Sequence, residues 1–315
     1  MLLTKKLAYG EVENMIEQLT ISELDCIFIS YDEPNAEKHW TDLLDKCMWA
    51  KRVHGVKGSN ECHQAAAELS DTDWFITVDA DNIVDIKFFD QIINVPEGSK
   101  AFSWPGVNVI NGLRYGNGSL KIWRKEFVLG MKTHEESTDP KGQVDFCWED
   151  GYRPMVHSYS ITYPNASPYQ AWRAGFREGV KMSLVDGVLP VDPMPSKLFW
   201  HNLHRLKAWC SIGSHVENGE WAILGARHGC WKANCTEWNY IDVRDFAYLD
   251  NIWKEVKNLN VQEAISDYGN RLERDFTLSV PLLNKSVSQY VVELFQDQYN
   301  QATQQIEWTM RRNNV

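Results

Sequence analysis

Trp74-Phe75-Ile76-Thr77-Val78-Asp79-Ala80-Asp81-Asn82 joins an apolar run to two carboxylates two positions apart. The first five residues are all aromatic or β-branched, the composition of a strand buried on both faces. Cys26-Ile27-Phe28-Ile29 upstream is a second such run, and Arg52-Val53-His54-Gly55-Val56 a third. Between them the period changes. Trp40, Leu43, Leu44, Cys47 and Met48 fall at helical spacing, as do Val12, Met15, Ile16 and Leu19 before the first strand. Ser59 is placed to cap a helix running through Ala65-Ala66-Ala67 to Leu69. Strand, helix, strand, helix, strand predicts an α/β fold, a Rossmann-like, mostly parallel sheet with helices on both faces.

Beyond residue 100 the pattern loosens. Glycines at 106, 112, 116, 118, 213, 219, 225 and 229 predict turns, with Asn111-Gly112-Leu113-Arg114-Tyr115-Gly116-Asn117-Gly118-Ser119 as a flexible loop. One clear helix runs from Ser167-Pro168 to Met182, since proline suits the first helical turn. After 244 only helical spacing remains: Phe246, Leu249, Ile252, Trp253 and Val256, then Ala264, Ile265, Tyr268 and Leu272, then Val287, Val291, Leu294 and Phe295. These predict a C-terminal helical cap over 241–315 on a larger domain of 1–240.

At 315 residues, 43% hydrophobic and 24% charged, the chain is long and apolar enough for a packed core, which excludes a disordered tail or a disulfide scaffold. Seven cysteines with no Cys-x-x-Cys pair predict reduced thiols and no structural zinc. No apolar run approaches the roughly eighteen residues of a membrane helix, and the first residues lead into polar sequence, so a cytoplasmic protein without membrane contact is expected. The net charge of −11 is uneven. Residues 1–100 carry 9 basic against 19 acidic side chains, whereas 101–240 carry 15 against 13 and hold nine of the fourteen Trp and six of the nine His. Flat or anionic ligands suit that middle third.

Open α/β sheets bind ligands at the carboxyl ends of their strands. Ser30-Tyr31-Asp32, Val56-Lys57-Gly58 and Asp79-Ala80-Asp81-Asn82 fall there. Two acids leaving a strand in an extended turn can share one hard cation, which in turn holds phosphates; the plainer reading is a helix cap. The residues 25–32, the helix after Gly58 and the 74–82 stretch together resemble the nucleotide-sugar half of a GT-A glycosyltransferase, over about the first 130 residues. The resemblance implies a nucleotide-sugar-binding half at 1–130, an acceptor-binding half at 131–240, and a Mn²⁺ or Mg²⁺ ion bridging the diphosphate of a UDP-sugar. It implies Asp81 as direct metal ligand, Asp79 on metal or ribose, Tyr31 stacked on uracil, Asp32 on base or ribose, Lys57 near phosphate and His63 facing the base.

Phe146-Cys147-Trp148-Glu149-Asp150 resembles the Glu-Asp motif that carries the general base in inverting members, which implies Asp150 as base, with Glu149 and Asp145 as rivals. A retaining enzyme needs no such base. Family members add a late histidine to the metal, for which His201 is the first choice, His228 the second and His157 the third. Gln170-Ala171-Trp172-Arg173 is similar to a Gln-x-x-Arg-Trp signature with the last two residues transposed, and Arg173 and Arg177, four apart on one helix face, can both address phosphate, the plainer reading being a helix face paired with Glu178 and its neighbours.

Residues 50–58, 168–178 and 221–227 further resemble tailed-phage proteins that glycosylate 5-hydroxymethylcytosine in DNA, which implies hydroxymethylated DNA as partner and the host cytoplasm as location. A flipped base needs aromatic and cationic neighbours. Trp104, Arg114, Tyr115, Lys121, Trp172, Arg173 and Arg177 are the candidate acceptor residues, with Trp123, Trp209, Arg124 and Lys125 near them in sequence. The same aromatic set suits a polysaccharide or glycan acceptor. A sugar-phosphate nucleotidyltransferase shares the acidic pair but opens with a glycine-rich loop, where this chain has Tyr31-Asp32-Glu33-Pro34-Asn35. A non-catalytic binding module is the remaining alternative, and the intact acid pair argues against it.

Overall fold

The computed structural model describes residues 17–133, 136–138 and 150–294, and of 116–119 the backbone alone. Its centre is an eight-stranded sheet in the order β3 (Lys51–His54), β2 (Asp25–Ser30), β4 (Trp74–Asp79), β8 (Arg114–Arg124), β7 (Ala101–Asn108), β10 (Ser160–Thr162), β5 (Asn82–Val84), with β9 (Tyr152–Pro154) also on β7. Strands β8 and β5 run against the other six. A small antiparallel pair, β1 (Glu17–Thr20) with β6 (Ile92–Val95), lies apart from it.

The period of two along the strands sends alternate side chains to opposite faces. Cys26, Phe28, Ile76 and Val78 pack on one face with α1 (Ala36–Lys46), through Leu43 and Cys47. Ile27, Val53, Phe75 and Trp123 pack on the other with α2 (Ser59–Leu69) and α3 (Lys125–Gly130), through Ala66, Ala67 and Val128. Strands covered on both sides need unbroken apolar runs, which is why 26–29 and 74–78 read so clearly.

The remaining helices are α4 (Pro168–Lys181), α5 (Trp200–Ser211), α6 (Gly219–Cys235), α7 (Phe246–Val256) and α8 (Val261–Phe276), with 285–294 also helical. Ser167 caps α4 by accepting from the Gln170 amide at 3.1 Å. Helices α4 and α6 pack backbone to backbone. A Cβ on Gly175 or Gly179 would stand 2.0 or 2.2 Å from the Ala222 or Ala226 carbonyl oxygen, and one on Gly225 or Gly229 would stand 2.1 or 2.2 Å from that of Trp172 or Phe176. Both helices therefore lack side chains exactly where they touch, and hydrophobic clusters flank the contact on two sides.

A buried guanidinium ties the C-terminal helices to this pair. Arg227 of α6 donates to the carbonyl oxygens of Cys210 (2.8 Å), Ile265 (2.8 Å) and Val280 (2.5 Å).

Four sequence expectations are corrected. Gly219, Gly225 and Gly229 belong to helix α6: contact with α4 demands the last two, while Gly219 is the first helical residue, where a Cβ would stand 1.9 Å from the Gly213 carbonyl oxygen. Gly106 lies within β7, and residues 114–119 are part of β8, so the loop expected over 111–119 shrinks to its first residues. Leu19 is in β1, paired with Ile93. Gly58, at φ 104°, takes the N-cap position of α2, and Ser59 is its first helical residue. The Gln-rich stretch 296–305 lies outside the described residues.

Candidate active site

A cavity of about 790 Å³ opens at the carboxyl ends of β2, β3 and β4. Strand β2 and the residues after it deliver Ser30, Tyr31, Asp32 and Glu33; the β3–α2 turn delivers Lys57 and the first turns of α2 Ser59 and His63; the end of β4 delivers Asp79 and Asp81. The opposite wall comes from α4, with Tyr169, Arg173 and Arg177, and from Arg244, Phe246 and Asp250 at the start of α7. The sheet side thus carries four acids and Lys57, and the helix side three arginines and aromatic rings together with Asp245 and Asp250.

The acid turn is held rigidly. Asp79 is the last residue of β4 and Asn82 the first of β5, so the chain reverses through Ala80-Asp81 alone. Buried His39 of α1 donates from Nδ1 to the Ala80 carbonyl at 2.8 Å, and the Tyr163 amide donates to the Asp81 carbonyl at 2.6 Å. The Asn82 amide nitrogen donates to Asp81 Oδ1 at 2.6 Å, while its oxygen accepts from the Thr162 hydroxyl at 3.1 Å. Thr162, Asn82 and Asp81 form a relay from a neighbouring strand to the carboxylate, which fixes its rotamer.

Burial raises the Asp79 carboxyl to about 6, with Glu33 adding to the rise and Lys121 opposing it. Burial also raises Asp81 to about 7; Asp79 and Glu33 add to this, and Arg173 opposes it. Two hard-oxygen donors carrying costly negative charge fit a divalent cation better than an empty turn. Among the described residues no three His, Cys, Asp or Glu side chains converge on one metal position. A Mg²⁺- or Mn²⁺-type ion accommodates this, because such ions commonly take one or two carboxylates and complete their shell with phosphate and water.

Of the residues expected on the donor side, Tyr31, Asp32, Lys57, His63, Asp79 and Asp81 all line this cavity. Tyr31 is 46% exposed, so its ring is open to a ligand. His63 is buried in the wall, donates from Nδ1 to the Ser59 carbonyl at 2.7 Å, and is lowered by burial to about 4. It is a neutral imidazole. Asp150 sits on an exposed turn before β9, away from the cavity lining, and Glu149 and Asp145 lie outside the described residues. Neither His201, stacked on Phe199 in α5, nor His157 lines the cavity. His228 is buried against Phe176 and Tyr268 and lowered by burial to about 3, a core histidine and not a ligand.

The expected acceptor surface is mostly interior, and four of its residues are corrected. Trp172 is fully buried beside Phe176 and Trp253, and Trp104 is buried against Phe88. Tyr115 is buried, donating its hydroxyl to Glu178 and accepting from Trp209 Nε1 at 2.7 Å. Lys121 is buried on β8 opposite Thr77, its Nζ 5.3 Å from the Trp123 ring centre. None of these four presents a free face. Trp123 and Trp209 are buried as well, while Arg114 is half-buried at the start of β8. Arg173 and Arg177 do line the cavity.

Sequence reasoning missed Glu33, Asn82, Thr162, His39, Tyr169, Phe246 and Asp250. Asn82 and Glu33 carried a signal, each directly after an acid already singled out, and Tyr169 lies in the helix that carries Arg173. The others reach the site from other parts of the chain.

No protein-family model matches the sequence, and no curated protein matches it. Among solved structures, the chain is similar to a mannosyltransferase from Pyrobaculum calidifontis in complex with GDP-Man and Mn²⁺. That likeness has 12% identity and a TM-score of 0.34, covering 82% of this chain and 89% of the other.

Proposed function

We propose that the chain is a metal-dependent glycosyltransferase of GT-A type that moves a sugar from a nucleoside diphosphate sugar, UDP-linked by preference, to an acceptor hydroxyl. One observation carries this reading. The carboxylates of Asp79 and Asp81 stand at a sheet rim, that of Asp81 held by Asn82 and through it by Thr162, inside a cavity whose opposite wall carries Arg173 and Arg177.

When bound, the divalent ion neutralises and orients the diphosphate. Asp79 and Asp81 hold that ion, and the Thr162–Asn82 relay keeps Asp81 aimed at it. Tyr31 stacks on the base, Asp32 takes a base or ribose hydroxyl, and Lys57 meets phosphate. His63, neutral and buried, closes the wall. The sequence resemblance offers Asp150, with Glu149 next to it in sequence, as the base that takes the acceptor proton, a role for which Asp150 would have to approach a cavity it does not line.

For the acceptor, sequence resemblance favours 5-hydroxymethylcytosine in DNA, or a sugar already on it. A glycan is the alternative, supported by the exposed aromatic pair Phe199 and Trp200, the latter 72% exposed. The test incubates the protein and Mn²⁺ with a panel of nucleotide sugars and three acceptors: plain DNA, hydroxymethylcytosine DNA and an oligosaccharide. The expected result is a hexose or pentose mass shift on one acceptor and release of a nucleoside diphosphate. In a parallel arm with added pyrophosphate, conversion of the nucleotide sugar to nucleoside triphosphate and sugar 1-phosphate would identify a nucleotidyltransferase, and no turnover with any donor would overturn the proposal.

A further inference from the structure

We infer that Arg173 belongs to the donor side of the cavity, where it binds the departing diphosphate as a second electrophile opposite the metal-binding acids. This rests on the glycosyl-transfer reading and, of the two roles the sequence suggests for Arg173, phosphate contact or acceptor contact, commits it to the phosphates of the leaving group.

Placement comes first. Arg173 projects from α4 into the same cavity as Asp79 and Asp81. Its guanidinium carbon lies 5.1 Å from the Tyr169 ring centre and 5.0 Å from that of Phe246, so rings from two helices flank it. Tyr169 is anchored by donating its hydroxyl to Asp250, and the Arg177 guanidinium also lies by the Phe246 ring, 5.2 Å from its centre. Arg173 and Arg177 stand one helical turn apart on one face. Rings hold a guanidinium by cation–π attraction without using up its charge, as a carboxylate would. Its N–H donors all lie in one plane, and their fork matches two oxygens of a phosphate.

Electrostatics gives the second step. Arg173 and the acid pair line one cavity from opposite walls. A cation bound at Asp81 and a guanidinium in the same cavity repel each other unless an anion lies between them, and a diphosphate is such an anion. During transfer the bond from the sugar anomeric carbon to the β-phosphate oxygen breaks, and the oxygen keeps the electron pair. The acceptor hydroxyl oxygen bonds the anomeric carbon, and its proton passes to a carboxylate base or water. Arg173 donates to the phosphate as that charge develops, in a setting already organised for it.

The experiment measures binding of UDP and of uridine by calorimetry, in Mn²⁺ and in EDTA, for wild type, Arg173→Gln and Phe246→Leu. Wild type in EDTA is expected to bind UDP more tightly than uridine. Arg173→Gln should lose about tenfold or more of its UDP affinity in EDTA and keep its uridine affinity, which also reports an intact cavity. Phe246→Leu keeps the guanidinium but removes one flanking ring, and should lose about threefold. Unchanged UDP affinity in EDTA in both variants overturns the inference while leaving glycosyl transfer standing. Failure of wild type to bind UDP, GDP or another nucleoside diphosphate even with Mn²⁺ overturns the nucleotide-sugar reading itself.

Discussion

The two walls of the cavity are built on opposite principles. The sheet wall is a short turn, residues 79–82, whose carbonyls and carboxylate are fixed one by one through His39, Tyr163, Asn82 and Thr162. The helix wall stands on α4, and α4 is fixed by having nothing in the way: Gly175, Gly179, Gly225 and Gly229 let it meet α6 along the backbone. Directed hydrogen bonds set the position of single oxygens, which suits a metal. Close helix contact sets a whole surface, which suits a row of arginines. Precision is local on one side and collective on the other, so the two walls should fail differently.

The largest effect is expected on the helix side. Gly225→Val would push branched carbons into the Trp172 carbonyl, and should cost about 3 kcal/mol or more, a fall in melting temperature of about 10 °C. Gly130→Ala serves as the control, since nothing lies within 4 Å of the added carbon, and should change stability by less than about 0.5 kcal/mol. A mild Gly225→Val would mean that the helix contact is softer than described.

On the sheet side, Asp81→Asn should lower transfer about 10³-fold with the fold retained. It should also change the pH dependence of stability. In the metal-free native protein Asp81 holds its proton to about 7 and Asp79 to about 6, whereas both ionise near 3.8 when unexposed to that environment. Between about pH 4 and 7 the native state therefore binds more protons, and stability falls as pH rises. Asp81→Asn should flatten this decline and melt above wild type at pH 8 in EDTA. Identical melting curves against pH for the two proteins would show that Asp81 is not held this way.

A smaller change is expected at Asn82→Ala. Removal of the amide that orients Asp81 should weaken Mn²⁺ binding by about 10- to 100-fold, read by metal titration at pH 7.5, with little loss of stability. Equal affinity would mean that backbone contacts alone position the turn.

The sheet was legible because its central strands are buried on both faces, so 26–29 and 74–78 could be nothing but apolar, and the acids that follow had to leave the sheet at its rim. The helix wall was not legible, for a related reason. A glycine says only that a side chain is absent. At 225 and 229 the cause is a neighbouring helix, which one chain position cannot announce. Trp104, Tyr115, Lys121 and Trp172 show the same limit from the other direction: aromatic and cationic residue types suggest a binding surface, yet each is turned inward by packing. Phe246 and Tyr169, which do reach the cavity, come from helices 77 positions apart, and only the folded chain brings them to Arg173.

Arg227 has a practical bearing on how the molecule can be shortened. A truncation at residue 240 looks natural from the pattern of the chain, yet it would strip this guanidinium of the Ile265 and Val280 oxygens and leave a cation stranded next to the helix that backs α4. The C-terminal helices thus act as a keystone for that wall, to which they also contribute Arg244, Phe246 and Asp250, and a shortened version should be expected to lose the wall before it loses the sheet.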